Sequence, residues 1–252
     1  MISPVIDLNS DLGEGIGRDD DILELVTSAN IACGFHAGDP ASILASIRAA
    51  KDRGVAVGVH PSFADRQNFG RTEMSVAASE IFALVCYQIG AFKALCRGAG
   101  TEMNHVKPHG ALYNMAARER ALADAIAQAV LTVDPRLILF APARSAMEVA
   151  AVELELQVAH EVFADRNYMP DGSLVPRTRP DALLHDPDEA ANRVVRMLHQ
   201  GVVRAIDGSD VPIAVDTICV HGDTPEAVSF VRELRRRLEE EKVTITAPAQ
   251  RR

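Results

Sequence analysis

The 252-residue chain predicts an α/β fold, a parallel (β/α) barrel built as one domain over residues 1–252. Three observations lead there. Short apolar, β-branched runs alternate with longer amphipathic stretches, the pattern of βαβ units. Polar and titratable residues gather just after those runs, and in a parallel barrel every strand end on that side shares one rim. The first run is followed by SDLGEGIG, which lacks the GxGxxG loop that an open, doubly wound nucleotide-binding sheet would carry there.

The runs are VIDLN (5–9), ANIACGF (29–35), VAVGVH (55–60), NHVKPH (104–109), LILFA (137–141), VAHEVFA (158–164) and TICVHG (217–222). They predict an irregular barrel with fewer than eight regular strands. Between the second and third, residues 42–53 place Ile43, Ile47 and Ala50 on one helical face. Residues 75–97 do the same with Ile81, Leu84, Val85, Ile89, Phe92 and Cys96. Asp39-Pro40, Asp186-Pro187 and Thr224-Pro225 mark helix starts, since each sets a capping oxygen before a proline whose missing N–H costs nothing in the first turn. Gly54, Gly98 and Gly201 are the expected stops. The tail VTITAPAQRR (243–252) reads as a last strand that then frays. No linker, low-complexity tract or short-period repeat divides the chain.

A net charge of −9 argues against nucleic acid or an anionic membrane as partner. No run of about 18 apolar residues suggests a membrane span. The segment MISPVIDLNSDLGEG lacks the basic region and long apolar run of a signal peptide. The four cysteines, Cys33, Cys86, Cys96 and Cys219, include no CxxC pair, so they read as reduced thiols. Together these features predict a cytoplasmic protein.

The first strand leads to Asp7, Asn9, Asp11 and Glu14, and the second to His36 and Asp39. The third ends at His60, ahead of Asp65, Arg66, Asn68 and Arg71. The fourth ends in Lys107 and His109. The sixth leads to Asp165, Arg166 and Asn167, and the last to His221 and Asp223. His160, His185 and His199 fall outside this pattern. Each residue has a plain structural alternative: Asp39 as a helix cap, Asp165 and Arg166 as an ion pair, a strand-end histidine as a hydrogen-bonded core residue. Lys107 is harder to explain away, because an ammonium closing an apolar strand is costly unless it is paired or used. Carboxylates and imidazoles would suit a divalent metal. Lys107, Arg66 and Arg166 would equally suit a carboxylate or phosphate. Cys33, among Ile31, Ala32 and Phe35, fits a buried thiol better than a nucleophile. No GxxxxGK[ST] loop and no GxSxG elbow occurs.

The segments DLNSDLGEG, SANIACGFHAGDP, GVHPSFADRQNFGR, HVKPHGALYN, FADRNYMPDGSLVPR and CVHGDTP follow one another in that order. Together they resemble the LamB/YcsF family over nearly the whole chain. The resemblance implies a seven-stranded barrel of the glycoside hydrolase/deacetylase type. It implies hydrolysis of 5-oxo-L-proline to L-glutamate, with ATP as co-substrate, in a complex with 5-oxoprolinase subunits B and C. On these matched positions Asp11, His60, His109 and Lys107 are the expected catalytic residues. Asn9, Glu14, His36, Asp39, Arg66, Asp165, Arg166 and His221 are the expected substrate contacts. A more distant likeness of DLNSDLGE, GVHPSF and HVKPHG to carbohydrate deacetylases, which place one Asp and two His on a metal, implies Asp11, His60 and His109 as metal ligands. It also supplies a rival function, metal-dependent deacetylation, although 4% aromatic residues and no tryptophan suit a sugar-stacking groove poorly. A non-catalytic scaffold role within the same complex is the third reading.

Overall fold

All seven apolar runs form strands of one closed parallel barrel in the computed structural model, which describes residues 4–15, 18–220 and 227–251. The first half of the chain runs β1 (Val5–Leu12), α1 (Asp19–Leu23), β2 (Ser28–Ala32), α2 (Pro40–Asp52), β3 (Ala56–His60), α3 (Ala78–Ala99), β4 (His105–Val106), α4 (Gly110–Arg118) and α5 (Arg120–Val133). The second half runs β5 (Ile138–Ala141), α6 (Ala146–Glu153), β6 (Val158–Phe163), α7 (Pro187–Gln200), β7 (Val202–Arg204), β8 (Asp210–Pro212), β9 (Thr217–Val220), α8 (Ala227–Glu240) and β10 (Thr244–Ile245). Strands pair in the order β1-β2-β3-β4-β5-β6-β9, and β9 returns to β1 through Asp7↔Thr217 and Asn9↔Cys219. β10 extends the start of β1 outside the ring.

The caps behave as their chemistry requires. Asp39 accepts the amides of Ala41 and Ser42, and the Ser42 hydroxyl accepts the Asp39 amide in return. Asp186 caps α7 through Asp188 and Glu189. The Thr224-Pro225 start lies outside the described residues. Gly54 and Gly201 stand just past their helices with positive φ. Gly98 does not stop α3: the helix runs on to Ala99, and Gly100 (φ 70°) takes the left-handed position. The tail does not fray, because the Gln250 side chain donates to the carbonyls of Met103 and Asn104, and Gln157 donates to that of Ala249. The β7–β8 hairpin was not expected; two three-residue strands are too short to show a period. Helix α3 has the length and apolar composition of a membrane span, contrary to expectation. Its stripe of Ile81, Val85, Ile89, Phe92 and Cys96 is nevertheless buried in the main core.

The barrel has an apolar shell and a polar lumen. Ile6, Leu8, Val57, Val59, Val106, Leu139, Val162 and Ile218 belong to the main core with helical residues such as Ile47, Ile89 and Ile126. The alternate residues bond to one another across the lumen. Asp7 accepts hydroxyls from Thr27, Ser28 and Thr217. Asn9 donates to Thr217 and accepts from Asn30. His105 bonds Asn30 at 2.8 Å and stacks on Phe140, centroids 4.1 Å apart. A small apolar cluster of Ile138, Phe140 and Ala159 completes the lumen. Gly58 is obligatory in this layer, since a Cβ there would lie 2.0 Å from the His105 ring. β1 thus has the period-2 alternation of a half-buried strand with the polar side turned inward.

On the outer face of β6, His160 sits between Asp216 (2.7 Å) and Glu148 (3.0 Å). The Asp216 hydrogen bond, opposed by burial and aided by Glu148, lifts its pKa to about 9 from 6.5. The charged imidazole therefore stabilises the fold fully below about pH 6.5, and that stabilisation disappears as pH rises through about 9. We expect His160→Gln to lie below wild type in urea midpoint at pH 6 and to match it near pH 10. A gap independent of pH would contradict the ion-pair account.

Candidate active site

The rim at the strand C-termini brings Asp11, Glu14, His36, His60, Lys107 and His109 together. Asp11 is the last but one residue of β1, and Glu14 follows in the next turn. His60 ends β3, Lys107 directly follows β4, and His109 is the N-cap of α4. Lys107 is 3% exposed and lies 2.9 Å from both Asp11 Oδ1 and Glu161 Oε1, with Cys219 Sγ at 3.1 Å. Burial works against its charge. Asp11 first and Glu161 with it outweigh burial and hold the ammonium well above its ordinary range.

The three imidazoles are oriented by their far nitrogens. His60 Nδ1 lies 2.7 Å from the Lys107 carbonyl, and His109 Nε2 lies 2.9 Å from the Phe69 carbonyl. Carbonyls only accept, so these nitrogens carry the protons. His36 Nδ1 bonds Ser62 Oγ at 2.9 Å, while that hydroxyl donates to the Phe63 carbonyl, so His36 Nδ1 is a donor too. In the neutral rings the near nitrogens are then bare lone pairs converging on one point. His60 Nε2 and His109 Nδ1 are 2.8 Å apart. Glu14 Oε1 lies 3.0 Å from His36, 3.4 Å from His109 and 3.9 Å from His60.

Facing lone pairs repel unless a proton or a cation stands between them. Protonation is disfavoured: burial, then His60, lowers the His36 pKa to about 3. Burial, then His60 and His36, takes His109 well below its usual value. A tetrahedral zinc-type ion with bonds of about 2.0–2.1 Å sets its ligand atoms about 3.3 Å apart. The ligand atoms of Glu14, His36, His60 and His109 lie within 4.8 Å of one another, so the set fits such an ion. Asp11, expected as a ligand with His60 and His109, stands 3.3 Å from His60 but is engaged by Lys107 and Asn30. Glu14 and His36 take its place in the cluster.

The loop over the cluster is held tightly. Phe69 adopts a left-handed backbone (φ 57°), which costs a non-glycine residue energy and here aims its carbonyl at His109. Gly70 follows, and a Cβ there would come within 3.0 Å of both His36 and His109.

The rim opens into a cleft of about 910 Å³, lined by Asp11, Glu14, His60, Lys107, His109 and Arg166, with Tyr113, Glu161, Phe163, Tyr168 and Arg177. Arg166 is buried, its Nη2 donating to the Val175 carbonyl, and burial lowers its pKa to about 10. Not every expected residue reaches this cleft. Asn9 lies beneath it in the lumen network. His36 backs the cluster and faces a neighbouring recess. Asp39 is the exposed cap of α2, and Arg66 holds the carbonyls of Gly34 and Gly38. Asp165 lies beside Arg166, off the cleft lining. His221 and Asp223 fall outside the described residues. The Cys33 thiol bonds the His60 carbonyl and Gln88 deep in the wall, and burial pushes its pKa up, which suits no nucleophile. Glu161 and Tyr113 were missed. The signal for Glu161 was a carboxylate alternating with Ala159 and Phe163 on the inward side of VAHEVFA.

Comparison with known proteins places these features in context. The model of the LamB/YcsF family matches residues 6–252. A protein of Oceanobacillus iheyensis, named as the A subunit of 5-oxoprolinase, is 50% identical over 245 residues, covering 95% of each chain. The crystal structure of a lactam utilization protein from Thermus thermophilus superposes with a TM-score of 0.90 at 44% identity, covering 97% of this chain and 100% of that one. T48 deacetylase, solved with substrate, shares the fold alone, at 14% identity and a TM-score of 0.51 over 97% of this chain and 88% of its own.

Lys107 neutralises the buried Glu161 and the half-buried Asp11. Its replacement by Met should therefore destabilise the chain by about 3–5 kcal/mol, the cost of stranding a buried charge. Urea unfolding would measure this, with Lys107→Met plus Asp11→Asn costing less than the two single changes summed. Strict additivity would mean that the pair is not coupled.

Proposed function

We propose that this chain, which belongs to the LamB/YcsF family, is the lactam-opening A subunit of a 5-oxoprolinase. It would convert 5-oxo-L-proline to L-glutamate with ATP as co-substrate and subunits B and C as partners. The observation that carries this reading is the 50% identity, over 95% of both chains, to a protein of that name. A rim that joins a buried ammonium, two carboxylates and an imidazole cluster over one cleft supports it.

The chemistry explains why ATP is needed. A five-membered lactam is a stable amide. Transfer of the γ-phosphoryl group to its carbonyl oxygen releases ADP and makes the ring carbon electrophilic. Water then adds to that carbon, the C–N bond breaks, and the nitrogen takes up a proton. The acyl phosphate that results loses phosphate to a second water and leaves glutamate. These steps call for a cation near the developing negative oxygen and a base for the water. Lys107 supplies the cation at the cleft floor, while Asp11, beside His60, is placed to receive the water's proton. Arg166 and Arg177 offer cationic donors to the substrate carboxylate. A divalent ion held by Glu14, His36, His60 and His109 would supply Lewis acidity at this rim.

Glutamate release from 5-oxoproline by the chain mixed with subunits B and C, with and without ATP, tests the reading. We expect release only from the complete mixture with ATP, and a 10²–10⁴-fold lower kcat for Asp11→Asn. Chelator-treated protein should lose activity and regain it with a divalent metal. Deacetylation of saccharides by the isolated chain would point to the rival enzyme. Full activity with Asp11, His60 and Lys107 all replaced would leave only a scaffold role.

A further inference from the structure

Glu161 takes no part in the phosphoryl transfer or in the attack of water. It is 2% exposed, projects from β6 into the cleft, and is flanked by Lys107, Tyr113 and Phe163. Its ion pair with Lys107 is close, at 2.9 Å, but not directed as a hydrogen bond. Among the described residues neither carboxylate oxygen has a hydrogen-bond partner of strict geometry, and the Tyr113 hydroxyl is the neutral donor that lies against it. With only Lys107 and Tyr113 beside it, this buried carboxylate keeps lone pairs that a ligand's donor would satisfy.

Charge decides what kind of ligand that is. Lys107 is shared between Asp11 and Glu161, each 2.9 Å away, so the cleft floor keeps an excess negative charge. On its Glu161 side that floor favours an N–H or O–H donor, while Lys107 remains the cation of the floor. Arg166 and Arg177, elsewhere on the cleft wall, have the opposite preference. The cleft is therefore complementary to a molecule with a donor at one end and a carboxylate at the other.

We infer that Glu161 is a specificity-determining residue that accepts the ring N–H of the substrate, restricting the site to secondary lactams that bear a carboxylate. This rests on the lactam-opening reading above and adds to it the group that recognises the nitrogen. The lactone analogue of 5-oxoproline has ring oxygen in place of N–H at nearly the same size. It would set a lone pair against Glu161, and a site built around a donor rejects the analogue that lacks one.

The test is calorimetric binding of 5-oxoproline and of that lactone to the complex with subunits B and C, without ATP so that neither is consumed. Wild type should prefer 5-oxoproline by 10-fold or more. Glu161→Met leaves Lys107 its Asp11 partner, and it should reduce the preference to about threefold or less. Glu161→Gln, which keeps an acceptor oxygen, should retain part of it. Equal affinity of wild type for both ligands, or an undiminished preference in Glu161→Met, would overturn the role of Glu161 while the lactam reading stands. If Glu161→Met does not assemble, the wild-type ratio and Glu161→Gln still decide. Failure of wild type to bind 5-oxoproline at all would remove the lactam reading and this inference together.

Discussion

Lys107 is the ammonium on which both Asp11 and Glu161 depend for neutralisation. The third acidic group of the lumen, Asp7, is handled differently: burial raises its pKa to about 6, and three donated hydroxyls hold the carboxylate that prevails at neutrality without a cation beside it. The remaining imbalance of two carboxylates against one cation sets the character of the cleft floor. Two carboxylates fix Lys107 in place, and its own carbonyl then fixes His60. Through His60 the same residue influences the orientation of the whole imidazole cluster.

A polar lumen is an expensive way to fill a barrel. Small parallel barrels are usually packed with layers of branched aliphatic side chains. Here Asp7, Asn9, Asn30, His105 and Thr217 occupy the lower layers in a continuous hydrogen-bond network. Such a network is tolerable only when its members are satisfied. The apolar shell between strands and helices carries the hydrophobic stabilisation, since the main core spans strand and helix residues alike. This division leaves the lumen free to orient charges. Asn30 bonds both Asn9 and Asp11, so the layer beneath the rim holds the carboxylate that Lys107 pairs with. Catalysis by electrostatic complementarity requires this kind of rigid placement.

The imidazoles show the same economy. Their donors are spent on Lys107, Phe69 and Ser62, which leaves acceptors facing inward. Backbone carbonyls and a committed hydroxyl can only accept, so the far nitrogens keep their protons and the inward lone pairs, with the Glu14 carboxylate, are left for a cation. The strained Phe69 and the close-packed Gly70 belong to the same device, because they press a carbonyl onto His109 from above.

Much of this was legible in the residues. The seven runs, the caps at Asp39 and Asp186, and the gathering of Asp11, His60, Lys107 and His109 behind strand ends all follow from period, capping chemistry and the shared rim of a parallel barrel. Those are local or topological properties, and local propensity reports them. The replacement of Asp11 by Glu14 and His36 in the cluster, the retreat of Asp39 and Arg66 from the cleft, and the presence of Glu161 within it were decided only by the tertiary structure. A residue's distance from a rim can be read from its place after a strand. Its direction depends on strand stagger around the closed ring and on which neighbour claims its hydrogen bonds first. Asp11 belongs to Lys107 because β1 and β4 face each other across the lumen, a relation no window of sequence contains.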